Sequence, residues 1–271
     1  MKKNTFQSPS IETETIDILS ERLLKATTQL AAANKELLAL QKEREEMLSN
    51  ISHDLRAPLT AIHSALDYID SLENKTEEDY QSTLAIIKRR TANLESLVND
   101  MYYLFCVEDT SKELSFEDVD ACLFLETYFY DTIIDTRYDS HDVQLEIAPE
   151  LAGHFIRIDR QRMIRVLDNL MTNAAKYSDP DAVITLKAII SDDKIIISVI
   201  DTGFGIPREA LNDIFRRTYR VSSARTPDST TGSGLGLSIV KAIVERHQGS
   251  ITCESTLGEG SAFTITLPLY Q

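Results

Sequence analysis

Residues 23–59 read LLKATTQLAAANKELLALQKEREEMLSNISHDLRAPL, and they carry the repeating pattern that decides the fold of the first part of the chain. Apolar residues recur at alternating spacings of three and four, and only Arg44 breaks the register. The residues in this series are Ile16, Leu19, Leu23, Ala26, Leu30, Ala33, Leu37, Leu40, Met47 and Ile51. Such spacing is typical of the a and d positions of a coiled coil.

The sequence Ser52-His53-Asp54-Leu55-Arg56-Ala57-Pro58 follows directly on this series. If Ile51 occupies an a position, His53 occupies a c position and faces water. An exposed histidine can meet a substrate, whereas a buried one usually cannot. By itself, however, this pattern fits an ordinary surface histidine equally well.

The apolar pattern continues beyond the histidine, so the helix is expected to run to about residue 72. The continuing positions are Leu55, Leu59, Ile62, Leu66 and Ile69. Pro58 lies inside this helix and is expected to kink it, because proline removes a backbone hydrogen bond.

A second helix is predicted after the polar residues 73–79, which form a turn and a helix start. Its apolar stripe consists of Tyr80, Leu84, Ile87, Leu94, Val98 and Met101. Two long helices joined by a short turn form an antiparallel hairpin. One hairpin cannot cover its own apolar seam, so we expect a homodimer through residues 15–104, with the hairpins forming a four-helix bundle.

The second half of the chain has a mixed α and β pattern. Helices are predicted at 119–137, 160–177 and 235–247. Strands are predicted at 143–148, 154–158, 182–190, 194–200, 250–255 and 261–267. Because several strands are adjacent and joined by short loops, we expect an α+β sandwich with helices on one face of a mostly antiparallel sheet.

Composition narrows the range of functions. The chain has 271 residues, 42% of them hydrophobic, and a net charge of −15, which disfavours free nucleic acid as a partner. Its three cysteines are widely spaced and predict neither a disulfide framework nor a metal site. There is no apolar run of the ~18 residues that a membrane span needs, so a soluble, cytoplasmic protein is expected unless the chain is a fragment of a longer one.

The predicted helix at 160–177 carries a set of polar side chains that suits a ligand. Asn169 and Asn173 are four residues apart and share one face, and Lys176 and Tyr177 follow. Amide oxygens suit Mg²⁺, lysine suits phosphate, and tyrosine can stack on a base. A solvated helix face would show the same pattern.

Two glycine-rich segments follow, and eight of the nine glycines lie after residue 200. Asp201-Thr202-Gly203-Phe204-Gly205 comes directly after an apolar strand, and the carboxylate of Asp201 is suited to accept a hydrogen bond from an exocyclic amine. Gly232-Ser233-Gly234-Leu235-Gly236 precedes a helix, where backbone amides can bind an anion. Residues 206–231 lie between them and resemble a lid, with a basic stretch at 214–227.

These segments, in this order, resemble those of bacterial sensor histidine kinases over about residues 45–271. Ser52–Leu59 is similar to the phosphoacceptor box of that family, and Asn169–Tyr177 to its N box. The segments 201–205 and 232–236 are similar to its two glycine boxes. Ile214-Phe215 together with Tyr219-Arg220-Val221 resembles its phenylalanine box.

The resemblance implies a fold and a division of the chain. The fold is a coiled coil leading into a dimeric helical hairpin, followed by the Bergerat-type α/β sandwich that binds ATP in gyrase and the heat-shock ATPases. The implied divisions are a disordered tail at 1–14, a coiled-coil signalling helix at 15–44, a dimerisation and histidine phosphotransfer domain at 45–106, a linker at 107–118 and a catalytic ATP-binding domain at 119–271.

The resemblance also implies roles for individual residues. His53 would attack the γ-phosphate of ATP with Asp54 as its base and orienter, and Arg56 belongs to the same catalytic box. Asn173, helped by Asn169, would hold Mg²⁺. The implied nucleotide-binding residues are Asn169, Asn173, Lys176, Tyr177, Asp201, Gly203, Gly205, Phe215, Arg220, Gly232, Gly234, Leu235 and Gly236. The phosphoryl group would then pass to an aspartate of a separate response regulator.

The chain departs from the family pattern at three positions. Ala57 stands where most members have Thr or Asn, a side chain thought to position water for dephosphorylating the regulator, so weak phosphatase activity is expected. Arg216 and Thr218 replace the usual glutamate and phenylalanine of the lid. A non-catalytic dimeric scaffold and an ATPase of the chaperone or topoisomerase type are the competing hypotheses. Intact site residues disfavour the scaffold, and the 52–59 box on a dimeric hairpin disfavours the ATPase.

Overall fold

The computed structural model describes residues 11–73, 76–108, 113–221 and 234–270. Contacts divide the chain into two compact units, residues 1–52 and 53–271. Most of the predicted tail at 1–14, Gly232 and the lid residues 222–231 lie outside the described residues. Among the described helices, none combines the length and apolar character that crossing a membrane requires.

Two long helices make up the first part of the chain. Helix α1 spans Ile11–Ser71 and contains no glycine, and it continues through Pro58 as one helix. Helix α2 spans Glu77–Glu108. Its start is fixed by Thr76, whose Oγ1 accepts from the N–H of Asp79 at 3.2 Å while the Asp79 carboxylate accepts from the N–H of Thr76 at 3.0 Å. This reciprocal pair satisfies two backbone donors that a helix start leaves unpaired.

The remainder of the chain is an α/β sandwich. Its strands are β1 (Glu117–Asp120), β2 (Asp142–Ile147), β3 (Phe155–Ile158), β4 (Val183–Ser191), β5 (Lys194–Asp201), β6 (Ser250–Thr256) and β7 (Gly260–Pro268). Its helices are α3 (Ala121–Thr132), α4 (Arg160–Lys176) and α5 (Gly236–Arg246), with short 3-10 turns at Thr136–Tyr138 and Pro149–Leu151. A five-stranded sheet has the order β2-β4-β5-β7-β6, and β1 pairs with β3 in a separate ribbon.

The main sheet is antiparallel except for the pairing of β2 with β4. Helices α4 and α5 pack on each other, and they contact β5 and β6 respectively. Burial alternates along β5, where Ile195, Ile197, Val199 and Asp201 are buried. This alternation, typical of a strand with one face on the core, delivers the Asp201 carboxyl to the buried side at the strand end.

The structure differs from the prediction around residues 117–137. A helix was expected from residue 119, but β1 occupies Glu117–Asp120 and α3 ends at Thr132. The carboxylate of Asp120 accepts a hydrogen bond from the N–H of Leu123 at 2.9 Å, so Asp120 caps the helix and cannot belong to it. The short, acidic strand forms because β3 provides a partner, which local pattern does not show.

A buried histidine joins α5 to the start of α4. His247 is 3% exposed. Its Nε2 accepts from the N–H of Asp159 at 2.9 Å, and its Nδ1 lies 2.8 Å from the carbonyl of Ile243, to which it donates. Asp159 in turn caps α4 through the N–H of Arg162. Burial lowers the pKa of His247; Arg162 and Arg246 add to this, while Asp159 and the Ile243 bond oppose it.

We expect this histidine to make the fold acid-sensitive. The neutral ring is favoured in the folded state, so the unfolded chain binds protons first as pH falls below the ordinary histidine value of 6.5. The free energy of unfolding should therefore decrease from pH 7 downwards until the depressed folded pKa is reached. Urea unfolding between pH 8 and 5.5 measures this. His247→Gln should be less stable by about 1–3 kcal/mol at neutral pH and show a flatter pH profile, and parallel profiles would contradict the assignment.

Candidate active site

His53 lies on the solvent face of α1, as the heptad position predicted. Its side chain is 80% exposed, whereas that of Asp54 is 26% exposed. The Asp54 Oδ1 lies 3.5 Å from the His53 Nδ1, which is ion-pair range but longer than a good hydrogen bond. Because the Asp54 carboxylate lies on the Nδ1 side of the ring, Nε2 is the ring nitrogen that remains available to a reaction partner.

Two of the residues that follow His53, Arg56 and Ala57, are also exposed. Arg56 and Ala57 lie three and four positions further along α1, on the same face as His53. A reacting group at His53 would therefore approach the side chains at these two positions. The methyl group of Ala57 offers neither a hydrogen-bond donor nor an acceptor there.

A second cluster forms where α4 approaches the start of α5. Asn169 and Asn173 lie one turn apart on α4 and are partly buried. The Asn169 Nδ2 donates to the carbonyl of Arg165 at 2.9 Å. A Cβ placed on Gly236 would lie 2.7 Å from the Asn169 Oδ1, so the start of α5 approaches this asparagine as closely as only glycine allows. The structure thus brings together an asparagine and a glycine that are 67 residues apart in the sequence.

The end of α4 contacts the loop after β5. The Nζ of Lys176 lies 4.9 Å from the ring centroid of Tyr177. The carbonyl of Tyr177 accepts from the N–H of Phe204 at 2.9 Å. A Cβ on Gly203 would lie 2.4 Å from this carbonyl oxygen and 2.4 Å from the buried Oγ of Ser178, so the contact requires glycine.

Asp201, at the end of β5, is buried beside this loop, and the residue is 7% exposed. Its Oδ1 accepts from the N–H of Gly203 at 2.9 Å. Burial raises the pKa of Asp201, while backbone hydrogen bonds from Gly203 and Ser261 act in the opposite direction. A carboxylate held in this way offers fixed acceptor positions in a low-dielectric environment, which suits recognition of an amine.

Gly205 is required for a close approach of two backbones. It has a φ of +67°, and a Cβ there would lie 2.0 Å from the carbonyl oxygen of Thr256. The same hairpin is pinned by Ser255, whose Oγ accepts from the N–H of Ile206 at 2.7 Å and donates to the carbonyl of Gly260 at 2.6 Å. Sequence reasoning missed Ser255, because its partner Ile206 is 49 residues away.

The remaining predicted residues lie around the ends of the lid. The Phe215 ring meets the Phe263 ring edge-on with centroids 6.4 Å apart, and Arg220 is exposed. Leu235 is fully buried, and Gly234 has a φ of +66° and lies against Thr218. The structure therefore brings Asn169 against Gly236, and it brings Tyr177, Gly203 and Asp201 together at the end of α4. It places His53 and Arg56 on a different element.

A cavity of about 400 Å³ between α3 and α4 lies apart from this cluster. Its lining includes Phe124, Tyr128, Asp131, Arg137 and Arg160, and none of the predicted site residues. The concave space and the glycine-bounded cluster are thus separate features of the sandwich.

The structure presents an exposed histidine on the first helix of a hairpin and, in the sandwich, a buried carboxylate beside glycines that permit close backbone approaches. Residues 43–109 match the family described as His Kinase A (phospho-acceptor) domain. Residues 158–271 match the family described as Histidine kinase-, DNA gyrase B-, and HSP90-like ATPase. The chain belongs to the histidine kinases of two-component systems.

Curated relatives include the sensor protein kinase WalK of Staphylococcus saprophyticus, 35% identical over 233 residues, covering 84% of this chain and 37% of the relative. WalK of Staphylococcus aureus is 34% identical over 236 residues, covering 84% of this chain and 54% of the relative. The chain thus spans about a third to a half of the length of these relatives.

Solved structures show the same architecture. The histidine kinase AdeS of Acinetobacter baumannii superposes with a TM-score of 0.62 at 26% identity, covering 81% of this chain and 98% of that one. The histidine kinase ThkA, solved in complex with the response regulator protein TrrA, superposes with a TM-score of 0.66 at 24% identity, covering 84% and 64%. These likenesses confirm the predicted helical hairpin followed by an α/β sandwich.

Proposed function

We propose that this chain is an ATP-dependent protein-histidine kinase that phosphorylates its own His53 and passes the phosphoryl group to an aspartate of a separate response regulator. The observation that carries the proposal is that one chain has a histidine that is 80% exposed and a sandwich in which α4 brings Asn169 against Gly236 and Tyr177 against Gly203, beside the buried Asp201. A bare ATPase would have no use for that histidine.

The residues of the cluster fit a nucleotide. Asp201 would accept a hydrogen bond from the exocyclic amine of adenine, and Tyr177 would pack on the base. Phosphates would be contacted by Lys176, the last residue of α4, and by the exposed Arg220. Asn173 and Asn169 provide the amide oxygens that Mg²⁺ accepts, and the bound ion would neutralise phosphate charge during transfer. The glycines, including Gly205 and Gly234, keep Cβ atoms out of the close approaches that shape the site.

The chemistry at His53 follows from its surroundings. Asp54 lies 3.5 Å from Nδ1 and, on closing to hydrogen-bond distance, would favour the neutral tautomer that carries its proton on that atom, which leaves the Nε2 lone pair free to attack. A bond forms between Nε2 and the γ-phosphorus, the bond from that phosphorus to the β,γ-bridging oxygen breaks, and ADP leaves. Asp54 stabilises the positive charge that develops on the ring, and the other residues contribute positioning and charge neutralisation.

A homodimer is part of the proposal. Leucines at the coiled-coil positions 19, 23, 30, 37 and 40 are between 54% and 67% exposed in the single chain. Within the hairpin, Leu59, Leu66, Leu84 and Val98 are each more than 40% exposed, and all four belong to the predicted apolar stripes. Apolar stripes of this length are characteristic of surfaces that a second helix covers.

Incubation with γ-labelled ATP and Mg²⁺ tests the proposal. Protein-bound label that is labile in acid and stable in base indicates a phosphohistidine, and its transfer to a receiver domain indicates the second step. A nucleotide-binding scaffold would bind ATP without becoming labelled. An ATPase of the chaperone type would release phosphate without retaining label.

We expect Ala57→Thr to increase phosphatase activity toward a phosphorylated receiver domain by about tenfold, because a hydroxyl there can orient an attacking water. The wild type should barely exceed the spontaneous loss of label from the receiver. The assay follows that loss in the presence of ADP. Ala57→Val is the matched control, since valine has the shape of threonine without the hydroxyl. Rapid loss caused by the wild type, persisting when its kinase activity is blocked, would refute this prediction.

A further inference from the structure

The cavity of about 400 Å³ between α3 and α4 lies on a face of α4 that the nucleotide residues do not share. Arg160, Ile164 and Asp168 line it at spacings of four residues, so they form one stripe along α4. Asn169 and Asn173 belong to the next stripe, about 100° around the helix. The cavity is therefore outside the proposed nucleotide site, and its volume lies within the range of small-molecule sites, about 300–1,000 Å³.

The floor of the cavity is apolar and its rim is polar. Phe124 and Tyr128 of α3 are 1% and 5% exposed, and Ile164 adds an aliphatic side chain from α4. The exposed Thr127 also lines the cavity, and its hydroxyl can both donate and accept a hydrogen bond. In sites of this kind the apolar floor contributes affinity, while the polar groups fix the orientation of the ligand.

Three of the five charged side chains that line the cavity have partners within the protein. The Nη2 and Nε of Arg137 donate to the Asp135 Oδ2 at 2.7 Å and 3.0 Å. The hydroxyl of Tyr128 donates to the Asp168 Oδ1 at 3.0 Å. These three groups need no ligand to satisfy them.

The other two charged side chains, Arg160 and Asp131, have no ion-pair partner among the residues that the structure describes. The Arg160 guanidinium lies 5.9 Å from the centroid of the Phe124 ring, and this is its contact within the described part of the chain. One cation and one anion without partners thus line the same cavity. This arrangement fits a ligand that carries both an anionic and a cationic group.

The spacing of the two unpaired charges limits the size of that ligand. Phe124, on which Arg160 is stacked, and Asp131 are seven residues apart on α3, which is about 10 Å along the helix. A free amino acid carries both charges on one carbon and cannot span this distance. An extended chain spans about 3.3–3.6 Å per residue, so a tripeptide reaches about 10 Å between its two ends.

We propose that the cavity binds a zwitterionic peptide of about three residues, with its carboxylate on Arg160, its ammonium on Asp131 and an apolar central side chain on the floor of the cavity. Arginine suits the first contact, because its guanidinium can bind a carboxylate through two parallel hydrogen bonds. The Asp131 carboxylate accepts hydrogen bonds from the ammonium. Neither the phosphoacceptor nor a nucleotide residue takes part, so this site is independent of the proposed kinase function.

The tripeptide Ala-Leu-Ala is the probe, and calorimetric titration of the full chain measures its dissociation constant. We expect saturable binding at one site. The N-acetylated peptide lacks the ammonium and the C-terminal amide lacks the carboxylate, so each should bind at least about tenfold more weakly, the equivalent of about 1.4 kcal/mol. Free leucine should also bind at least about tenfold more weakly, because it cannot reach both charges.

Two variants assign each end of the peptide to its partner. Arg160→Gln should weaken binding of Ala-Leu-Ala about tenfold, and the C-terminal amide should then lose nothing further, because the partner of the carboxylate is already absent. Asp131→Asn should behave in the same way toward the N-acetylated peptide. Arg157→Gln is the control, since it removes the same charge from a guanidinium stacked 5.2 Å from the Tyr270 ring centroid, outside the cavity.

Lack of Ala-Leu-Ala binding to the wild type overturns the proposal, and so does equal affinity for the two blocked peptides or for leucine. Equal weakening by Arg157→Gln also overturns it, because the effect would then follow net charge and not the cavity. Thermal melts establish that the variants are folded. The comparison of free and blocked peptides uses the wild type alone, so it decides the matter even if a variant does not fold.

Discussion

His53→Gln should reduce acid-labile labelling of the protein by ATP to background. Glutamine has no ring nitrogen whose lone pair can attack phosphorus, so the covalent step has no acceptor. It suits a helix, and the position is 80% exposed, so the stability of the fold should be nearly unchanged. Binding of ATP to the sandwich should also be retained, because the nucleotide residues lie on other elements.

His63→Gln is the matched control for this experiment. His63 is exposed on the same helix, ten residues after His53, and belongs to none of the segments that resemble the family boxes. Its variant should be labelled at the wild-type rate. If the His53→Gln protein keeps its label, or if His63→Gln loses it, the assignment of the phosphoacceptor is wrong.

Asp201→Asn should weaken ATP binding by about 10- to 100-fold, in line with the ~1.5–3 kcal/mol of a hydrogen bond to a charged group. The substitution keeps the shape of the side chain. However, asparagine has an NH₂ group in place of one of the two carboxylate oxygens. This NH₂ group must lie close either to the N–H of Gly203, which in the wild type donates to Oδ1, or to the amine of adenine. One donor then faces another in a buried site, where an unsatisfied group is most costly.

The dissociation constant of ATP, measured by calorimetry, tests this prediction. Asp193→Asn is the control, because it removes the same formal charge far from the site. Asp193 lies directly before the first residue of β5, whereas Asp201 is the last residue of that strand. The control should bind ATP as the wild type does, and a thermal melt establishes that both variants are folded. Equal affinities for Asp201→Asn and the wild type would exclude Asp201 from the nucleotide site.

Much of the fold could be predicted because its elements are marked by local pattern. The strand predicted at 194–200 is found at Lys194–Asp201, and the helix predicted at 160–177 is found at Arg160–Lys176. Alternating apolar residues mark the strand, and apolar residues at helical spacing mark the helix. The strand β1 could not be predicted, since its four residues form a strand only by pairing with β3.

The candidate site was predictable for a different reason. Asparagine, lysine and tyrosine on one helix, and glycines around Asp201, are unusual residues for those places unless a ligand or a close backbone approach requires them. Their roles in binding and catalysis remain predictions. The contacts that support them could not be found in the sequence, since Ser255 and Ile206 are 49 residues apart.

The sequence by itself determined where most of the helices and strands occur, that His53 faces water, and which residues are candidates for phosphate, base and metal. These properties depend on residue type and on periods of two to seven residues, which a linear chain displays directly. Only the tertiary structure decided that Asn169 meets Gly236, that Asp201 is buried, and that Arg165 and Arg246 hold the end of α2. The last two contacts join residues 65 and 139 positions apart, and no local pattern encodes pairings over such distances.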